Sequence, residues 1–76
     1  MYHFAMTHAD LINLWPSLTV FAEDLRVRYV TAKAMRRRQS IPAAYWSRVV
    51  ECAAARGIDG ITLEVLADAI AAEAAE

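Results

Sequence analysis

Leu18-Thr19-Val20-Phe21-Ala22-Glu23-Asp24-Leu25, then Arg26-Val27-Arg28, then Tyr29-Val30-Thr31-Ala32-Lys33-Ala34-Met35-Arg36-Arg37-Arg38 reads as helix, turn and helix. In the first stretch Leu18, Phe21, Ala22 and Leu25 share one face at helical spacing, and Ser17 stands where an N-cap belongs. In the second, Thr31, Ala32 and Met35 point toward the core, while Tyr29, Lys33 and Arg37 recur at i, i+4, i+8 on the other side. Val30 and Arg36 flank that outer row. Two short helices joined by three residues have the connection length of a helix-turn-helix.

Helical spacing continues on both sides. Thr7-x-x-Asp10 resembles a capping box, and Leu11, Leu14 and Trp15 follow as an apolar stripe that Pro16 ends. Downstream, Pro42 opens a helix expected to run to Arg56, with Tyr45, Trp46, Val49, Val50 and Ala53 on its apolar face and Gly57 as its stop. A last helix begins after Thr62, with Leu63, Leu66, Ala67 and Ile70 expected to face inward. No stretch alternates at period two. The expected fold is all-α: a bundle of about five short helices containing the helix-turn-helix at residues 18–38. Residues 1–6 are expected to form a loose arm, 7–71 the domain, and 72–76 an acidic, Ala-rich tail.

The chain has 76 residues, enough for one domain, and 16 of them are Ala. Ala forms helices well but offers little apolar surface, so the core should be thin. A single cysteine, Cys52, excludes a disulfide framework and a cysteine-based zinc finger; among Val49, Val50 and Ala53 it reads as a small buried hydrophobe. The uncharged run from Leu11 to Ala22 falls short of the roughly 20 residues a spanning helix needs, and Pro16 breaks it. The N-terminus carries no signal-peptide pattern, so a soluble cytoplasmic protein is expected. His3 and His8 fall in or beside the arm. No nucleophile–base pair, paired carboxylates, metal-ligand set or Gly-rich phosphate loop suggests an enzyme, and no cofactor, metal or small-molecule effector is expected.

The formal net charge of −1 conceals a strong segregation. Residues 25–50 hold Arg26, Arg28, Lys33, Arg36, Arg37, Arg38 and Arg48 and no acid, a local charge of +7. The preceding 24 residues carry −3 and the final 26 carry −5. A solvated helix face ordinarily mixes signs, because like charges at i, i+4 repel. Arg36-Arg37-Arg38 and the Lys33–Arg37 pair have no acidic neighbour in their own segment, a pattern that points to a polyanion. The plainer readings are an acidic protein surface, or the chain's own acidic ends.

The stretch from Phe21 to Val27, with Thr31-Ala32-Lys33-Ala34-Met35-Arg36-Arg37-Arg38, resembles the Cro/YdaS-like branch of the phage-repressor helix-turn-helix superfamily. Ser40-Ile41-Pro42-Ala43-Ala44-Tyr45-Trp46 is similar to the Ser-Ile-Pro-x-x-Tyr/Arg-Trp segment that follows the recognition helix in these small regulators. The resemblance covers roughly residues 11–67 and implies a lambda-repressor-like fold. It makes Ala22 the small residue at the helix crossing, Leu25 and Val27 core around the turn, and Met35 the large inward residue of the recognition helix. It implies Arg28, Tyr29, Val30, Lys33 and Arg37 as base readers and Thr19 as a phosphate contact. Two positions depart from the pattern. Arg26 stands where the family has Gly, at a left-handed position costing a side chain about 1 kcal/mol, and Ala32 stands where Val or Ile is usual.

The expected function is therefore that of a sequence-specific, double-stranded DNA-binding transcriptional regulator, most simply a Cro-like repressor. Arg28 and Arg37 suit guanine edges, Lys33 a guanine or a phosphate, and Val30 a thymine methyl. Ser17, Thr19, Arg26, Arg36, Arg38 and Arg48 are the phosphate candidates. Tyr29 could equally lie over the preceding helix, and Val30 could be a boundary core residue. One module covers a half-site, so a homodimer on a two-fold operator is expected, with Trp46, Val50, Ile61, Leu63, Leu66 and Ile70 as surface or ordinary core. The alternative is a protein-interaction module, an antitoxin or anti-activator using the same fold.

Overall fold

The computed structural model describes the backbone of residues 7–74 and the side chains of residues 7–70. Five α-helices follow one another: α1 (His8–Ile12), α2 (Leu18–Leu25), α3 (Tyr29–Arg38), α4 (Trp46–Ala55) and α5 (Leu63–Ala74), with a 3₁₀ turn at Ala43–Tyr45 leading into α4. The described residues contain no strand. The all-α bundle is therefore as expected, and α2 and α3 carry the expected boundaries. The arm at residues 1–6 lies outside the described residues. Residues 72–74 continue α5, so the tail expected to begin at residue 72 is helical for its first three positions.

Three helix starts, those of α1, α2 and α5, are capped by a hydroxyl. Thr7 closes a full capping box, its Oγ1 accepting from Asp10 N–H at 3.1 Å while Asp10 Oδ2 accepts from Thr7 N–H at 3.0 Å. Ser17 Oγ accepts from Val20 N–H and Thr62 Oγ1 from Val65 N–H. Three helices end on the same bonding pattern, with an N–H reaching five residues back: Val27 to Ala22 O, Ser40 to Met35 O and Ile58 to Ala53 O. The turn needs a left-handed residue. Gly57 supplies it after α4 at φ +75°, but Arg26 (φ +59°) and Gln39 (φ +56°) supply it after α2 and α3. The departure at Arg26 therefore keeps the backbone of the glycine turn with a side chain in it.

The core is built from Leu11, Ile12 and Trp15, from Leu18, Phe21, Ala22 and Leu25 of α2, and from Ala32 and Met35 of α3. Ile41, Val49, Ala53, Ile61 and Leu66 complete it. Ala22, Ala32 and Ala53 are at most 3% exposed, so small residues sit at helix contacts where little room is left. The Trp15 and Phe21 rings meet edge to face, 5.0 Å between centroids.

Several expectations are corrected. α1 stops at Ile12; Leu14 and Trp15 N–H bond three residues back, to Leu11 and Ile12. Leu14 is 45% exposed, while Ile12 is buried, at helical spacing with Leu11 and Trp15. α4 begins at Trp46, four residues past Pro42, because the intervening residues take the 3₁₀ turn. On α5 the inward residues are Leu66 and Ala69; Leu63, Ala67 and Ile70 lie outside, a shift of the buried face by roughly one residue. His8, expected in or beside the arm, is fully buried, in register with Leu11, Ile12 and Trp15.

Candidate nucleic-acid interface

α3 is amphipathic in an unusual sense. Its buried side is only Ala32 and Met35, and its exposed side is cationic. Tyr29, Lys33 and Arg37 rise along one exposed row, which spans about 12 Å at 1.5 Å per residue. Tyr29 is 51% and Val30 63% exposed, so neither serves as core. Arg28, at the N-cap of α3, is exposed immediately before the row; Arg36 is half-buried on its flank. Arg36, Arg37 and Arg38 lie in the last turn, where the carbonyl end of the helix favours cations. Among the described residues the only ion pair is Asp24–Arg56, so no described acid pairs with a basic side chain of α3.

The phosphate candidates divide. Thr19 is exposed in the first turn of α2. Ser17 is exposed too, although its hydroxyl already accepts from Val20 N–H. Arg26 projects from the turn between the two helices. Arg38 belongs to a different row, with Thr31, Ala34 and Met35, and lines an open cleft of about 270 Å³ with Ser40, Pro42 and Tyr45. Arg48 is exposed on α4, on an element separate from the α3 row.

The α2–turn–α3 unit is held by contacts the motif alone does not reveal. Asp24, near the end of α2, accepts from Trp15 Nε1–H at 2.8 Å and from the Nε and Nη2 of Arg56 at the end of α4. The Arg56 guanidinium holds the Asp24 carboxyl below the ordinary carboxylate range, against the opposing effect of burial. Burial pushes the Cys52 thiol up, and its Sγ–H donates to Asp24 O; the side chain, expected to be buried, is half-buried against the core.

Behind α3, Ile41 N–H donates to His8 Nδ1 at 2.7 Å, and Trp46 Nε1–H donates to Ile41 O at 2.7 Å. With Nδ1 accepting, the ring proton sits on Nε2, which donates to Leu66 O at 2.9 Å. The His8 and Trp46 rings meet edge to face at 6.0 Å. One imidazole thus ties α1, the segment after α3, and α5 together. Its position three and four residues before Leu11 and Ile12 was the available signal.

The expected pairing surface is divided as well. Leu66 is fully buried, and Ile61 is 6% exposed, so both are core. Trp46 and Val50 are half-buried against the core, and Leu63 and Ile70 are exposed. No group of three or more His, Cys, Asp or Glu among the described residues could hold a metal, and no described helix is long and apolar enough to cross a membrane. Comparison with protein-family models, with curated proteins and with solved structures finds no match to this chain.

Proposed function

We propose that this protein binds double-stranded DNA in a sequence-specific way and regulates transcription, most simply as a Cro-like repressor that places α3 in the major groove. The single observation that carries the reading is the exposed row Tyr29, Lys33, Arg37, with Arg28 before it, on the second helix of a helix-turn-helix and with no described acid bonded to it. Unpaired cations in such a row suit phosphates and guanine edges, and the exposed Val30 suits a thymine methyl. Arg26, Arg36, Thr19 and Ser17 are the backbone contacts proposed beside the row, and Arg38 and Arg48 those proposed on surfaces apart from it. The family resemblance of residues 11–67 supports the same reading, and a two-fold site bound by two copies follows from the small footprint of one module.

Selection of bound duplexes from a random pool tests this. The expected result is an enriched short motif with two-fold symmetry. Affinity for it should fall by roughly 5 log units per log unit of salt if about six phosphates are contacted. Binding that enriches no sequence, or no binding at low salt, would leave the protein-interaction module as the better reading.

A further inference from the structure

One flank of α3 borders a cleft that the row Tyr29, Lys33, Arg37 does not enter. Its volume is about 270 Å³, and it lies between the Thr31, Ala34, Arg38 side of α3 and the segment leading into the 3₁₀ turn. Met35, 5% exposed, forms its floor, with Pro42 and the half-buried Tyr45 beside it. Four polar groups also face it: the Arg38 guanidinium and the hydroxyls of Thr31, Ser40 and Tyr45. The hydroxyls of Thr7, Ser17 and Thr62 are taken by backbone N–H groups, whereas these three bond to no described residue. The wall is held from behind. Ser40 N–H donates to Met35 O at 3.0 Å and Tyr45 N–H to Pro42 O at 2.9 Å. Between them, His8 and Trp46 take both peptide groups of Ile41. A ligand entering the cleft therefore orders little new backbone.

We infer that this cleft binds a small aromatic carboxylate. Arg38 selects the charge: its planar guanidinium receives both oxygens of a carboxylate on parallel N–H donors, and no described acid pairs with it. Every lining residue falls within residues 25–50, which hold no Asp or Glu, so nothing in the wall repels an anion. Met35, Pro42 and Tyr45 select the body, because a thioether and a ring edge suit an aromatic ligand. The volume selects the size. It equals about nine waters at roughly 30 Å³ each, room for one ring with a short acid arm. The site goes beyond the proposed DNA binding and against the expectation of no small-molecule effector. Arg38 is also a proposed phosphate contact, so a bound carboxylate takes one cation away from DNA. That consequence rests on the proposed function; the site does not.

The test of the site needs no DNA. Two-dimensional NMR follows the full chain as sodium benzoate is added at constant ionic strength. The expected result is saturable shifts grouped on Thr31, Met35, Ser40 and Tyr45, in the low millimolar range. Acetate, which lacks the ring, and benzamide, which lacks the charge, should each bind about tenfold more weakly or worse. Arg38→Gln should weaken benzoate by about tenfold at an unchanged thermal midpoint, and Arg37→Gln, on the neighbouring row, by less than about twofold. Shifts that do not saturate, shifts spread evenly along α3, or equal losses in the two variants would overturn the site as general attraction of anions. Inorganic phosphate binding there more tightly than benzoate would overturn the ligand class and make the cleft a seat for a DNA phosphate. On the selected duplex, saturating benzoate should weaken binding by about tenfold relative to equal acetate and flatten the salt slope by about 1. Unchanged DNA affinity with benzoate bound would overturn the competition alone. No DNA binding, with benzoate still bound, would overturn the proposed function and leave the site.

Discussion

His8 Nδ1 accepts a hydrogen bond from the backbone N–H of Ile41 at 2.7 Å, across 33 residues of sequence. Ile41 lies three residues past the end of α3, and its carbonyl is taken by Trp46, so both of its peptide groups are held by buried or half-buried side chains. The exit of the proposed reading helix is thereby pinned to α1 and, through His8 Nε2, to α5.

Replacing His8 with Ala strands Ile41 N–H in the core, removes the second bond to Leu66 O beyond its own helix bond, and empties the space of a ring. The expected loss is about 3 kcal/mol of unfolding free energy, measured in urea. In the native protein the nitrogen chemical shifts of the imidazole should report the Nε2–H tautomer, with Nδ1 unprotonated.

Arg26 holds a left-handed conformation that glycine adopts without strain. Arg26→Gly should stabilise the fold by about 0.5–1 kcal/mol, the relief of strain exceeding the added entropy of the unfolded chain. If Arg26 also contacts a phosphate, the same variant should bind DNA more weakly and with a salt slope shallower by about 1. Denaturant melts and a salt series on one variant separate the two effects.

Asp24 has its carboxyl pKa lowered in the fold, chiefly by the Arg56 hydrogen bond. The unfolded carboxyl binds protons at a higher pH than the folded one. The stabilisation is therefore fully present above the ordinary value of 3.8 and is lost as pH falls through the lower folded value. Asp24→Asn should be less stable than wild type at pH 7, and the difference should shrink steadily as melts are taken from pH 5 toward pH 2.

Lys33→Ala combined with Arg37→Ala removes two exposed cations that pair with no acid among the described residues. Helicity and the thermal midpoint should stay within about 0.5 kcal/mol of wild type. Binding to the selected duplex should drop by at least 100-fold, since a reading contact is worth about 1–3 kcal/mol. Normal binding by this folded variant would remove α3 from the proposed role.

Much of the fold was written in local chemistry. Thr7 with Asp10, Ser17 and Gly57 mark their helix ends by hydrogen bonds that reach only three to five residues, and those marks are legible in a string of letters. The period of Leu18, Phe21, Ala22 and Leu25 names the buried side of α2 for the same reason. The segregation of charge is equally a property of the sequence, and it singled out the α3 row.

What failed was decided elsewhere in the chain. Leu14 and Leu63 have the right spacing and the right hydrophobicity, but whether a stripe edge is covered depends on which neighbouring helix arrives and at what rotation. Here Ile12 and Ala69 take the buried places. His8 looked like a polar residue beside an arm because its two partners, Ile41 N–H and Leu66 O, are backbone groups 33 and 58 residues away. Any residue type has such groups, so no side-chain pattern announces them. The sequence by itself determined the helices, their caps and the cationic face. Only the tertiary structure decided which apolar residues that face's scaffold could bury, because a small, Ala-rich core covers less surface than the sequence offers it.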